Sequence, residues 1–454
     1  MDLHVCILAA GQSKRMKSKI SKLLQPLCGK PMLLHVYELV AALSPDTHTF
    51  VVGYQRDQVM DSLSGKAVDF VVQEQQLGTA HAVDEFLKQH SKIRGLLLVL
   101  NGDTPLLLPS TLRDLLTLHE QRQAAISLLT TDIPDPTGYG RIIRNSQGNI
   151  QRIVEEADAT ATEKQIHEVN AGIYVFDVEK LKQLLPEVQA ENKQKEFYLP
   201  DVIALALERQ WTIFPQKAHC EEVMGINTKA ELAEANRLLR KRINMQWMLR
   251  GVTMMDPETT YIDAGVQFGS DVVLYPNIYL EGNTLVGSEV KIYPNCRITD
   301  AYIDSKCVIY ENTSIESAHL ESGVRVGPFA RIRPDSYLQK GARIGNFVEL
   351  KKTVVGEGTK ANHLSYLGDA TIGKDVNIGA GTITCNYDGE KKHPTTIEDG
   401  VFIGSDTQLI APVKVGKGAY IAAGSSITDD VPENSLAIAR GRQVNKPGWK
   451  SKKK

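Results

Sequence analysis

Residues 320–338, LESGVRVGPFARIRPDSYL, carry an aliphatic residue at every sixth position: Leu320, Val326, Ile332 and Leu338. Downstream the count continues through Ile344 and Leu350. Upstream, after slips of one residue, it runs through Ile315, Ile309 and Ile303, then Ile298, Ile292, Val286, Leu280, Leu274 and Phe268. A last run holds Ile397, Ile403, Leu409, Val415, Ile421 and Ile427. A helix cannot keep a six-residue period on one face, and a hairpin sheet has no reason to. A parallel β-helix does. Each hexad is one short strand plus a turn, three hexads close one triangular coil, and the aliphatic residue points inward onto its counterpart one coil above. Gly and small residues, as in Val326-Gly327-Pro328 and Ile378-Gly379-Ala380, allow the tight corners.

The 454 residues are too many for one core, so two or three domains are expected. A net charge of −2 gives no reason to expect a nucleic-acid partner. No apolar run is long enough to span a bilayer, and the opening Met1–Gly11 segment reads as a buried strand rather than a signal peptide. Six cysteines without CxxC spacing suggest reduced thiols and a cytoplasmic protein. The terminal Lys450-Ser451-Lys452-Lys453-Lys454 reads as a solvated end more readily than as a binding arm.

The first half alternates differently. Val5–Ala10, Phe50–Gly53, Phe70–Val72 and Leu96–Leu100 are short apolar runs bounded by turn residues. Helical stretches lie among them at Leu33–Ala42, Thr79–Gln89 and Pro109–Gln121. This predicts a mostly parallel α/β sheet, with ligands beyond the carboxyl ends of its strands. Those ends are Gly11 with its neighbours and Asn101-Gly102-Asp103. Between the halves, Thr228 with Glu231 forms a capping box before a stripe of Leu232, Ala235, Leu239, Ile243 and Trp247 that stops at Gly251. The expected division is residues 1–227, a linker helix at 228–250, and a β-helix at 251–454.

Leu8-Ala9-Ala10-Gly11 runs from strand into a loop with Gln12, Ser13, Lys14, Arg15 and Met16. Backbone N–H groups there, with Arg15 and Lys22, are suited to cradle a triphosphate. Asp103, at a strand's carboxyl edge, is suited to hold Mg²⁺, which needs few protein ligands; a turn-forming Asp is the plain alternative.

These residues, with Gln73, Leu77-Gly78-Thr79, Gly138-Tyr139-Gly140-Arg141, Glu155, Asn170 and Gly225-Ile226-Asn227, resemble the sugar-nucleotide pyrophosphorylases. Nearly the whole chain is similar to the bacterial bifunctional N-acetylglucosamine-1-phosphate uridylyltransferase/glucosamine-1-phosphate acetyltransferases. The resemblance implies that Leu8, Ala9, Ala10 and Gly11 line the nucleotide loop, with Asn101 and Gly102 in the same substrate site. Gln73, Gly78 and Thr79 read uracil, and Gly140, Glu155 and Asn170 hold N-acetylglucosamine. Asp103 and Asn227 share Mg²⁺, and Lys22 and Arg15 neutralise phosphate charge during transfer. The chain departs from the family pattern at Ser13, Lys14, Ser21, Asn101 and Asn362. Ser13 stands where a loop Gly is usual, and Lys14 reads equally as a compensating cation or a solvated charge.

In the second half, polar residues break the hexads. Arg331–Pro334 and Glu349–Lys352 put cations one coil apart. His363 stands at a position that should be small, and Thr384–Thr396 interrupts the sixes with an outward loop. A lone His here is commonly a surface turn residue. The resemblance implies more: His363 as general base on the sugar amine, and Glu349 orienting its imidazole. It implies Arg333 and Lys351 on the phosphate of glucosamine-1-phosphate, with Tyr366 and Asn377 on the sugar. It also implies Asn386 and Tyr387 near the acetyl group, and Ala380, Ser405, Ala423 and Arg440 along acetyl-CoA. Left-handedness of the β-helix and a homotrimer likewise come from the resemblance, as does a supply of peptidoglycan and lipopolysaccharide precursors. The reading is an enzyme that makes N-acetylglucosamine-1-phosphate with acetyl-CoA, then UDP-N-acetylglucosamine with UTP. The rivals are a nucleotidyltransferase with a merely regulatory β-helix, and a non-catalytic scaffold. Use of some thymidine nucleotide stays open.

Overall fold

The computed structural model describes residues 2–449, so the basic run Lys450–Lys454 lies outside the described residues. The chain divides into two compact units, Met1–Leu239 and Arg240–Lys454.

The first unit is built on a nine-stranded sheet. Its main path is Ile213–Lys217, Ile126–Asp132, Glu168–Asp177, Leu96–Asn101, Leu3–Ala9, Thr47–Val52 and Asp69–Val72. All neighbours on that path are parallel except Glu168–Asp177, which runs against both its partners. Val5, Cys6 and Ile7 are fully buried, as expected of a central strand with helices on both faces. Leu3–Ala9 lies between Leu96–Asn101 and Thr47–Val52, so the chain order reverses beside it. In such sheets the crevice beyond that reversal receives the ligand. Apolar faces of helices Met32–Ala41 and Thr79–Gln89 close the layers over the sheet.

The second unit is a three-sided prism of short parallel strands in sheets of 11, 10 and 9 strands. The hexad residues do what their spacing predicts. Leu274, Ile292, Ile309, Val326 and Ile344 stack one coil above another on one side, each at most 1% exposed. Burying each such side chain is worth roughly 1.5–3 kcal/mol. Successive coils pair residues 17 or 18 apart, as Leu320 with Leu338 and Leu338 with Val355. One coil is longer: Ile372 pairs with Ile397, and the surplus is the expected outward loop, whose tip folds back through a Tyr387–Lys392 bridge.

The helix Lys229–Leu249 opens with the expected capping box. Thr228 Oγ1 accepts from the Glu231 amide at 3.2 Å, and the Glu231 carboxylate accepts from the Thr228 amide at 2.8 Å. Leu232, Ala235 and Leu238 pack in the first unit against Met16, Leu27 and Leu106. Ile243 and Trp247 pack on the prism core, and Asn244 donates to the carbonyls of Pro257 and Thr260. Gly251, at φ 97°, follows the last turn in a conformation that costs other residues more. No helix among the described residues is long and apolar enough to cross a membrane.

Candidate active sites

Two contiguous clefts open at the carboxyl end of the first unit's central strands. The larger, about 540 Å³, is lined by the whole loop from Leu8 to Arg15, with Lys22, Gln73, Gly78 and Thr79. The smaller, about 370 Å³, is lined by Gly140, Glu155, Asn170 and the unforeseen Tyr139 and Tyr174. Leu8, Arg15, Thr79, Asn101, Asp103 and Asn227 border both. Every residue expected in the first site except Gly102 therefore lines one cleft or both. Gly102 lies just beneath, its amide bonded to the Leu8 carbonyl at 2.9 Å.

Asp103 and Asn227 are far apart in sequence and adjacent in space. The Ile226 amide donates to the Asp103 carbonyl at 3.0 Å, and the Glu231 carboxylate of the capping box accepts from the Asn227 amide at 2.7 Å. The two side-chain oxygens converge on one ammonium. Lys22 Nζ donates to Asp103 Oδ2 and, at 2.8 Å, to Asn227 Oδ1. An oxygen pair that already encloses a cation suits a hard divalent ion that keeps most of its waters. No group of three acidic, His or Cys side chains gathers among the described residues, so a complete protein cage is absent there.

Ser13 answers the question its residue type raised. Its backbone sits at φ 53°, ψ 23°, the left-handed region where Gly is at ease. The loop keeps that turn without Gly, at a cost of roughly 1–2 kcal/mol. Gly78, at φ 120°, cannot be replaced so simply: a Cβ there would stand 2.4 Å from the Phe197 carbonyl oxygen. In the smaller cleft Asn170 Nδ2 donates to the Tyr174 hydroxyl at 2.7 Å, and its backbone N–H donates to the Gly140 carbonyl at 2.8 Å. Glu155 lies against Gly140. Burial, with Asp201 and Asp158 nearby, raises its pKa to about 7.

The prism carries the second constellation along one edge. At that corner Pro328, Asn346, His363, Ala380, Ser405 and Ala423 occupy equivalent positions of successive coils, each followed by a residue at positive φ. His363 therefore heads a file of small residues, Ala380, Ser405 and Ala423, stepping about 4.8 Å per coil. Arg440 closes the file, donating to the Ala423 carbonyl at 2.7 Å.

His363 Nδ1 faces Asn346 Oδ1 at 2.8 Å. An amide oxygen only accepts, so Nδ1 carries the proton and Nε2 presents its lone pair. The resemblance puts Glu349 on this ring; within one chain a different residue faces Nδ1. Glu349 accepts from Arg333 at 2.9 Å, while Asn346 holds the imidazole. The register explains this: Asn346 pairs with His363 on one sheet, whereas Glu349 lies past the corner on the next, opposite Tyr366.

At the far edge of that next face Arg333 and Lys351 lie one coil apart, as expected. Lys351 is 3.4 Å from Asp369 Oδ2, which also accepts from Asn386 Nδ2 at 2.6 Å. A third cation joins them. Lys392, on the outward loop, has its pKa lowered by the adjoining Lys351 ammonium. It was missed because the loop breaks the period that guided the rest. Tyr387 is exposed on the same loop. Tyr366 and Asn377 fall on different faces of the prism and do not meet within one chain.

Comparison with known proteins agrees with both halves. The MobA-like NTP transferase domain model matches residues 5–167, and the bacterial transferase hexapeptide model, of six repeats, matches residues 394–429. The chain is 47% identical to the bifunctional protein GlmU of Shouchella clausii, over 98% of each chain. It is 47% identical to GlmU of Geotalea uraniireducens over the full length of both, and 49% identical to GlmU of Carboxydothermus hydrogenoformans over 98% and 99%. Identity at that level across both units shows the family and, with the hexapeptide match, the left-handed course of the prism. The chain belongs to the GlmU family: it is a bifunctional enzyme of UDP-N-acetylglucosamine synthesis, with a uridylyltransferase in its first half and an acetyltransferase in its hexapeptide repeats.

Proposed function

We propose that acetyl transfer to glucosamine-1-phosphate occurs at the His363 edge and uridylyl transfer occurs where the two clefts of the first unit meet. The observation that carries the first-unit assignment is the cation-binding pair Asp103–Asn227 on the border shared by both clefts. UTP occupies the larger cleft and N-acetylglucosamine-1-phosphate the smaller. Their phosphates then meet beside Arg15, Lys22 and that pair. The sugar-phosphate oxygen attacks the α-phosphorus and pyrophosphate leaves. Such transfers rest on positioning and charge stabilisation. Mg²⁺ would be held by Asp103 and Asn227, and supplies counter-charge to the phosphates when bound.

At the prism edge, Arg333, Lys351 and Lys392 take the phosphate of glucosamine-1-phosphate, and Tyr366 takes its sugar. The amine nitrogen attacks the thioester carbonyl, and His363 Nε2 accepts the amine proton. A carbon–nitrogen bond forms, the carbon–sulfur bond breaks, and the CoA sulfur departs along Ala380, Ser405 and Ala423 towards Arg440. Asn386 and Tyr387 adjoin the acetyl group.

The acetyltransferase works as a homotrimer. The corner residues beside His363 support this. Phe329, Phe347 and Leu364 are 49%, 54% and 62% exposed and hold φ of 53°, 58° and 44°. Earlier coils put Asn277, Asn295 and Asn312 at that strained position, and Asn tolerates it better than bulky apolar residues do. A strained, exposed apolar ridge is accounted for if another copy covers it. A neighbouring copy also supplies the Asn377 that Tyr366 lacks. The thiols of Cys6, Cys220, Cys296, Cys307 and Cys385 are not in disulfides, as suits the cytoplasm in which we place the enzyme.

Two measurements test this reading. Purified protein given glucosamine-1-phosphate, acetyl-CoA, UTP and Mg²⁺ forms UDP-N-acetylglucosamine only with all four. Adding N-acetylglucosamine-1-phosphate removes the need for acetyl-CoA and glucosamine-1-phosphate alone; product formed without Mg²⁺ would refute the cation pair. The second measurement is pH dependence. Because burial raises the Glu155 pKa to about 7, its carboxyl gains a proton as pH falls through that value and its charged acceptor is lost. KM for N-acetylglucosamine-1-phosphate should rise about tenfold from pH 8 to pH 6, the margin of a charge-assisted hydrogen bond over a neutral one. Glu155→Gln should flatten that part of the profile. Superimposable profiles would contradict the role of Glu155.

A further inference from the structure

We propose that His81 fixes the amide orientation of Gln73 and thereby makes the nucleotide cleft select uracil over cytosine. The proposal rests on the reading that Gln73 faces the base. Gln73 is 3% exposed and lines the larger cleft. Its Nε2 donates to the Gly78 carbonyl at 3.0 Å and meets His81 Nδ1 at 2.9 Å. A carboxamide nitrogen has two hydrogens, and these two acceptors use both. Only Oε1 is left for a ligand, so the residue meets the base as an acceptor.

That is the polarity uracil needs. Uracil presents a donor at N3 beside the acceptor O4. Cytosine presents a bare acceptor at N3 beside a donor amino group. Oε1 accepts from uracil N3–H and opposes the cytosine N3 lone pair. The N-terminal turn of helix Thr79–Gln89, whose Gly78 and Thr79 line the same cleft, suits the acceptor O4 and not an amino group. Selection against a mismatched buried polar edge can be large, because each misplaced group loses its water without gaining a partner.

The orientation holds only while His81 Nδ1 is an acceptor. Its other nitrogen, Nε2, lies 3.5 Å from Glu85 Oε1, one helical turn on, and that carboxylate favours the proton at Nε2. His81 thus acts through Gln73 and is a positioning residue. A side chain without an acceptor leaves the second Gln73 hydrogen unpaired, and the amide is freer to turn its nitrogen to the base.

The test is the ratio of kcat/KM for UTP to that for CTP, with N-acetylglucosamine-1-phosphate and Mg²⁺. The ratio does not depend on the fraction of enzyme that is folded. His81→Leu and His81→Phe should each lower it about tenfold, mainly through a higher KM for UTP, because the base is remote from the reacting phosphorus. His81→Asn, whose Oδ1 stands near the position of Nδ1, should keep it within about threefold of wild type. An unchanged ratio in both apolar variants would overturn the proposal, as would an Asn variant that falls as far as they do. A wild-type enzyme without preference for UTP would remove the uracil reading of Gln73 as well.

Discussion

His363→Ala is expected to slow acetyl transfer to glucosamine-1-phosphate by about 10²–10⁴-fold, the usual worth of a positioned general base. Uridylyl transfer from UTP to N-acetylglucosamine-1-phosphate should continue at the wild-type rate. The side chain is exposed and its only described hydrogen bond is to Asn346, so its removal leaves no buried group unpaired. The imidazole is poised in one tautomer: Asn346 Oδ1 accepts from Nδ1–H, which leaves the Nε2 lone pair at the head of the small-residue file. The loss should fall on kcat, since the base acts on a proton that moves only during reaction. Coupled assays for free CoA and for pyrophosphate, run on one preparation, separate the two effects. Retained acetyl transfer would show that the amine loses its proton without His363. Parallel loss of both activities would point to a damaged fold.

Asp103→Asn should do the reverse, lowering uridylyl transfer at least ~100-fold while acetyl transfer persists. The substitution keeps the shape and one acceptor oxygen but removes the negative charge. In the wild type Lys22 and Asp103 form an ion pair with side chains only 13% and 16% exposed. With Asn there the ammonium faces two neutral amides, and stability should fall by about 1–3 kcal/mol. Held well below the melting temperature, the variant should still fail to release pyrophosphate, and added Mg²⁺ should restore rate only at much higher concentration. An unchanged Mg²⁺ requirement would mean that the cation binds elsewhere.

Much of the architecture was open to reading because its causes are local or periodic. A buried aliphatic every six residues has one economical solution, and Leu320, Val326, Ile332 and Leu338 all prove fully enclosed. The capping box of Thr228 and Glu231 was legible because its partners are three residues apart. The handedness of the prism was not, since the period is the same for either hand; resemblance supplied it. Resemblance also named Asp103 with Asn227, which no spacing could join. Their meeting depends on a backbone bond from Ile226 to Asp103.

The misses follow from the same physics. Glu349 was placed with His363 by resemblance, yet which carboxylate or amide reaches a ring depends on strand register at a corner. That register gave the place to Asn346. Lys392 lies in the loop where the count fails. Tyr139 and Tyr174 line the smaller cleft from a turn and a long antiparallel strand. His81 meets Gln73 across the gap between a strand's end and a helix.

Mixing the two variants puts the independence of the two reaction centres to the sharpest trial. His363→Ala and Asp103→Asn proteins, each inactive alone from glucosamine-1-phosphate to UDP-N-acetylglucosamine, should together restore its formation when acetyl-CoA, UTP and Mg²⁺ are present. The first intermediate leaves one molecule and is used by the other. If the mixture stays as inactive as its components while each retains its own half-reaction, the centres are not separable in the way described.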